Sequence, residues 1–237
     1  MKCKFGTVAL GTLFVAAGFV APTRALAQNP PPGAIFDLAT SPQNSGVLST
    51  YKDFTTSFTA DSSSTYVSFA FREIPAYFAL DDVSVTAMGS STNLLADPGF
   101  ESATPGQNVP TGWGRWIQPI DVSAIGEVAS NSAAYGCPPN VAHSGTQFWC
   151  DGSVEGYDAV YQAVATTAGQ TYNVSFWLGD NSGSAPYQPG IDMLVYAGDS
   201  IPVGTIPVGT PEPGPLGLLA VGLGTVVFLG RKYRANR

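Results

Sequence analysis

Period-two alternation of apolar and polar residues most limits the folds open to this chain. Along residues 171–178, Tyr172, Val174, Phe176 and Leu178 fall on one side and Thr171, Asn173, Ser175 and Trp177 on the other. That is the spacing of a strand with one buried face. Residues 66–72 repeat it with Val67, Phe69 and Phe71, as do the pairs Phe54 and Phe58, Val83 and Val85, Val160 and Val164, and Met193 and Val195. Gly, Pro, Asn and Asp punctuate these short runs, and no helical period in the body lasts beyond a turn or two. The pattern predicts an all-β fold, an antiparallel β-sandwich.

Charge narrows the partners. Charged side chains are 11% of the chain, against about a quarter in an average domain. The basic ones gather at the ends: Lys2, Lys4 and Arg24 at one, Arg231, Lys232, Arg234 and Arg237 at the other. Residues 28–210 keep only Lys52, Arg72 and Arg115 against 16 acidic residues, a net charge of −13. A body that acidic repels phosphate backbones, which argues against a nucleic-acid partner.

The two ends read as addresses. Lys2 and Lys4 precede an uncharged run from Phe5 to Ala21, and Ala25-Leu26-Ala27 then offers a small-x-small site. This is the layout of a secretory signal peptide over 1–27, cut by signal peptidase after Ala27. A Pro-rich leader, 28–34, follows. At the other end, Pro211-Glu212-Pro213 leads into fifteen uncharged residues, Leu216 to Gly230, and then the basic cluster Arg231, Lys232 and Arg234. Fifteen residues give roughly 22 Å of helix. With the flanking residues from Pro213 to Tyr233 and snorkelling basic side chains, the segment just spans a ~30 Å hydrocarbon core, so a single transmembrane helix is expected over 214–230. The basic end stays cytoplasmic and the body outside. Between body and tail, Ile201 to Thr205 repeats as Ile206 to Thr210, a semi-extended spacer.

The order Pro-Glu-Pro, apolar run, basic cluster over 211–237 resembles the PEP-CTERM sorting signal of Gram-negative exopolysaccharide producers. The resemblance implies recognition by an exosortase and cleavage near Pro211, Glu212 and Pro213. It also implies a transient inner-membrane anchor, then delivery to the outer cell surface or extracellular matrix. Cysteine usage agrees with export. Cys3 leaves with the signal, and the remaining pair, Cys137 and Cys150, reads as one disulfide. Closing its loop contributes up to ~3 kcal/mol on the chain-entropy estimate.

Two segments of the body also look familiar. Asn93-Leu94-Leu95-Ala96-Asp97-Pro98-Gly99-Phe100-Glu101, with Pro110-Thr111-Gly112-Trp113, resembles the opening of galactose-binding-like jelly rolls, which include many carbohydrate-binding modules. His143-Ser144-Gly145 and residues 160–178 resemble the middle of that domain. The segment from Phe58 to Val85, ending Leu80-Asp81-Asp82-Val83-Ser84-Val85, resembles its close. The closing part, 35–88, comes first here and the opening part, 93–200, second. Either one jelly roll over 35–200 is circularly permuted, or two incomplete domains lie in tandem. Residues 28–88 alone would leave an apolar face uncovered, so one domain is expected.

No pattern marks a catalyst. The single histidine, His143, lies in a His-Ser-Gly turn, no phosphate loop or metalloprotease motif occurs, and no spacing singles out a carboxylate pair. The chain is expected not to be an enzyme. No cofactor is certain; a structural calcium is the one candidate, which the resemblance places at Glu101 and Asp82. Sugar binding needs aromatic faces beside amides and carboxylates. Trp177 and Asn173 share an outward row, Tyr161 is expected on the same outer face, and Trp116 is a further candidate. The expected function is an exported, non-catalytic surface or matrix protein binding exopolysaccharide, with neutral or calcium-bridged sugars favoured by the acidic body. A structural biofilm-matrix protein without a sugar site is the alternative. A glycan hydrolase using two loop acids is the third reading.

Overall fold

The computed structural model describes residues 30–43, 48–74, 76–119, 126–132, 137, 141–180 and 192–202. The signal-like segment with Ala27, most of the IPVGT spacer and the sorting motif with its apolar run and basic cluster lie outside the described residues. Among the described residues there is no helix long and apolar enough to cross a membrane.

The described residues form ten strands. They are β1 (Phe36–Asp37), β2 (Lys52–Thr59), β3 (Ser64–Arg72), β4 (Phe78–Ala87), β5 (Gly114–Ile117), β6 (Gly126–Ser130), β7 (Gln147–Asp151), β8 (Asp158–Ala165), β9 (Thr171–Asp180) and β10 (Asp192–Gly198). Two antiparallel five-stranded sheets result, in the orders β1-β10-β3-β8-β5 and β2-β9-β4-β7-β6. In each sheet, strands from residues 35–88 interleave with strands from later in the chain. Within the sheets only β6 and β7 are neighbours in both sequence and space. Almost every ladder is therefore closed over a long loop.

The alternation read from sequence is the one that builds the core. Val67, Phe69 and Phe71 of β3, Phe54 and Phe58 of β2, Tyr172, Val174, Phe176 and Leu178 of β9, and Met193 and Val195 of β10 all lie in one buried cluster between the sheets. Phe36 and Phe69 from one sheet meet Phe176 from the other edge to face, at 5.4 and 5.6 Å between centroids. Each fully buried Phe contributes about 1.5–3 kcal/mol by leaving water, and each edge-to-face pair about 0.5–1.5 kcal/mol more.

β2 is an edge strand, with backbone groups open to a further strand. Gln43 covers it midway: its side chain donates from Nε2 to the Thr55 carbonyl at 2.8 Å and accepts from the Thr55 N–H at 3.1 Å. The outer faces are filled too. Ala70, Trp116, Tyr157, Ala159, Leu194 and Tyr196 cluster on the outside of the β3–β8 sheet, with Ile201 packed against them. There the Tyr196 hydroxyl donates to the Pro31 carbonyl. On the other sheet Ala79, Ala129, Phe148, Cys137 and Cys150 make a third cluster, and the two cysteines form the disulfide, Cα atoms 5.9 Å apart.

Candidate functional site

A bulge in β4 underlies a densely hydrogen-bonded side-chain cluster at the surface. The β4–β9 register shifts between Asp81 and Ser84, and Asp82 takes the left-handed φ of 47°. Asp97 (φ 47°) and Phe100 (φ 60°) do the same in the segment packed beside it. A bulky residue such as Phe is strained there; its complete burial, with its ring 5.3 Å from that of Trp113, holds it. The Val83 N–H donates to the Pro98 carbonyl, and the Leu94 N–H to that of Val85. The Asp-Asp-Val and Gly-Phe-Glu segments are thus neighbours, with Gly99 between the carboxylates.

Onto this base the 143–147 segment is fastened by three carboxylates. Asp81 Oδ2 accepts from the N–H groups of His143 (2.8 Å) and Ser144 (3.2 Å), and its Oδ1 from the Asp82 N–H. Burial, with the charge of Asp82 adding to it, pushes the Asp81 carboxyl up to about 7 against the lowering effect of those donors. Asp82 Oδ1 accepts from Ser144 Oγ at 2.7 Å, and its Oδ2 lies 2.5 Å from His143 Nδ1. Glu101 Oε1 accepts from the N–H groups of Thr146 and Gln147, and Oε2 from Thr146 Oγ1. Gly145 sits in the middle at φ 62°, where a Cβ would overlap Glu101 Oε1. The imidazole of His143 stacks on Trp177 and meets Tyr51 edge-on. The Tyr51 hydroxyl is buried without a hydrogen-bond partner; its own burial, then Asp81 and Asp82, raise its pKa.

This geometry bears on the calcium candidates. Glu101 and Asp82 approach the same segment, but all four of their carboxylate oxygens are already taken by its N–H, hydroxyl and imidazole groups. As arranged, the pair does not form a cradle for calcium. Among the described residues no three His, Cys, Asp or Glu side chains converge closely enough to hold a metal ion.

The sugar candidates separate. Trp177 and Asn173 do share the outward row of β9, Trp177 half-buried and Asn173 exposed. Tyr161 does not join them. It lies on β8, which pairs with β3 and β5 in the opposite sheet, and its ring crosses Gly114. Alternation tells inside from outside but not which of two sheets a strand enters. Trp116 points outward on that other sheet too, but is only 6% exposed within the second cluster.

Around Asn173 lies a set of residues that sequence reasoning passed over. Thr55 of β2 is opposite Ser175, and Ser175 opposite Ser84 of β4. Ser57 is opposite Asn173, and Asn173 opposite Thr86. Two rows of hydroxyls and one amide thus cross three strands, and Thr55, Ser57, Asn173 and Ser175 line a shallow, open groove of about 500 Å³. The signal was present in the parity of β2, where these polar residues alternate with Phe54 and Phe58.

No family model, curated protein or solved structure matches the chain. What the site can do therefore rests on its own residues.

A paired carboxylate does exist, but away from the groove. Asp151 and Asp158 are both fully buried, close enough for the charge of one to act on the other. Arg115 binds Asp158 Oδ2 through Nε at 3.1 Å and through Nη2. Trp149 Nε1 donates to Asp151. Burial, then the charge of Asp158, raise Asp151 well above the usual range, which favours a proton on Asp151. Neither carboxyl is exposed to a cleft through which a glycan could reach it.

Proposed function

We propose that this chain is an exported, non-catalytic jelly-roll protein that lies along extracellular polysaccharide through the outer face of the β2–β9–β4 sheet. The observation that carries this reading is the pair of cross-strand rows, Thr55–Ser175–Ser84 and Ser57–Asn173–Thr86. Hydroxyl and amide groups at strand spacing can exchange hydrogen bonds with sugar hydroxyls along an extended chain, and a shallow groove suits a polymer better than a single ring. Trp177 borders the rows with one ring face already covered by His143, so recognition depends on polar contacts more than on stacking. Export rests on the two ends of the sequence: the signal-like 1–27, and the PEP-CTERM-like 211–237 that would engage an exosortase and the inner membrane on the way out.

The flatness of the same face favours a second reading, a matrix protein in which the sandwich is a structural unit without a sugar site. Binding of the purified chain to a panel of glycans and to the polysaccharide of its own host, with calcium and with EDTA, separates the two. Saturable binding weakened at least tenfold in Asn173→Ala combined with Thr55→Ala, while the fold survives, supports polysaccharide recognition. A folded protein that binds no glycan in either condition supports the structural reading. Shortening of any glycan during the assay would reverse the non-catalytic assignment.

A further inference from the structure

The two edges of the β2-β9-β4-β7-β6 sheet differ in how they are covered. At β6, backbone does it: the Gly106 N–H donates to the Val128 carbonyl, and the Val128 N–H to that of Gln107. At the other edge β2 runs for eight residues. The Thr55 N–H and carbonyl both point to the Gln43 side chain, and so away from β9. Backbone direction alternates along an antiparallel strand, so Asp53, Ser57 and Thr59 aim their N–H and carbonyl groups to the same open side. All four residues are exposed.

Gln43 stands where a further strand would. Its amide donates to the Thr55 carbonyl at 2.8 Å and accepts from the Thr55 N–H at 3.1 Å, the same two bonds that a residue of an added strand makes. Lys52 Nζ donates to the Gln43 carbonyl, and the Gln43 N–H donates to Ser41 Oγ, which holds the side chain in place. Among the described residues no other group bonds to the open side of β2. An eight-residue edge rich in Thr and Phe is thus guarded by one side chain.

We infer that the open edge of β2 is a self-association surface for a second copy of this chain, and that Gln43 holds it shut. Parity limits the antiparallel registers, since a slip of one residue would turn Phe54 and Phe58 outward. Two registers overlap most of the strand. One sets Phe54 against Thr56 of the second copy and Phe58 against its Lys52. The other sets Phe54 against Phe58 of the second copy, Thr55 against its Ser57 and Asp53 against its Thr59. That second register extends the buried row of Phe54 and Phe58 and opposes no like charges. It is two-fold symmetric, and the covered β6 edge stops further growth, so two five-stranded sheets join into one and the product is a dimer rather than a fibre. Gln43 gives up two bonds on swinging out, and Asp53, Thr55, Ser57 and Thr59 each gain ladder partners. The pairing does not depend on any sugar being bound.

The test is sedimentation velocity of the purified chain over a concentration series, without glycan. Gln43→Ala should lower the dimer Kd at least tenfold relative to the parent. Ser57→Pro removes an N–H from the open side and none from the β9 ladder, so adding it to Gln43→Ala should abolish that gain. A gain through any other surface would survive Ser57→Pro. Unchanged association in Gln43→Ala, or a gain that persists in the double variant, overturns the inference. If Gln43→Ala does not fold, Gln43→Glu replaces it, since it keeps an acceptor for the Thr55 N–H and loses the donor to the Thr55 carbonyl. If Ser57→Pro does not fold, the exposed Thr59 reads the register instead. Thr59→Asp would oppose Asp53 of the second copy and should weaken the dimer, whereas Thr59→Lys should tighten it. Association that follows the sign of the charge at 59 supports the β2 edge, and association indifferent to it overturns the inference.

Discussion

The imidazole of His143 lies flat on the indole of Trp177, with centroids 3.7 Å and planes 14° apart, while its Nδ1 is 2.5 Å from Asp82. One contact covers an aromatic face and anchors a loop. His143→Ala should cost about 1–2 kcal/mol, from a lost ring pair and a lost charge-assisted hydrogen bond. It should also make Trp177 measurably more open to acrylamide quenching. Unchanged quenching with unchanged stability would mean that the stack does not persist in solution.

Gly145 and Gly169 both have left-handed φ, 62° and 81°, but only Gly145 has a side chain in the space a Cβ would fill. Gly169→Ala should cost only the backbone strain, about 1–2 kcal/mol. Gly145→Ala should cost at least about 1 kcal/mol more, since it must dislodge Glu101 from three hydrogen bonds with the 146–147 segment. Urea denaturation of both variants gives the difference; equal losses would show that Glu101 yields freely.

Stability should fall as pH rises. Burial first, then the neighbouring charges, raise Glu73 to about 8 and Asp81 and Asp192 to about 7. In the unfolded chain these groups titrate near pH 4. Across the interval from about pH 4 to pH 8 the folded state holds protons that the unfolded state has released. Stability is therefore greatest near the unfolded values, declines through that window and levels off above it. In EDTA the thermal midpoint should be higher at pH 5 than at pH 8, and Glu73→Gln should flatten the decline. A midpoint that rises over this range would contradict the assignment of these carboxyls.

Arg115 sits between the sheets with its guanidinium on Asp158 and 5.9 Å from the Trp149 ring. Arg115→Met should cost about 3–5 kcal/mol, because it leaves a buried carboxylate without its cation. Asp151→Asn should cost under about 1 kcal/mol, as burial favours the neutral form of Asp151 and an amide is neutral too. Comparable losses for the two would argue against a neutral Asp151.

Sequence alone determined the kind of secondary structure, the buried set and the disulfide. Val67, Phe69 and Phe71, and Tyr172 through Leu178, could be assigned to the interior because strand geometry repeats every two residues, a local property. Cys137 and Cys150 could be paired because no other pair is available once Cys3 is set aside. The interleaving of β2 and β4 with β9 and β7 was not legible, since strand partners lie far apart in the chain and alternation does not say which sheet a strand joins. Tyr161 was misplaced for that reason, and the hydroxyl rows of Thr55, Ser57, Ser84 and Thr86 went unseen. Only the tertiary structure decided that His143 covers Trp177, that the 143–147 segment takes up the oxygens of Glu101 and Asp82, and that Glu73 ends up buried with neither carboxyl oxygen hydrogen-bonded. Each depends on residues brought within a few ångströms across long loops, where desolvation and charge act through space rather than along the chain.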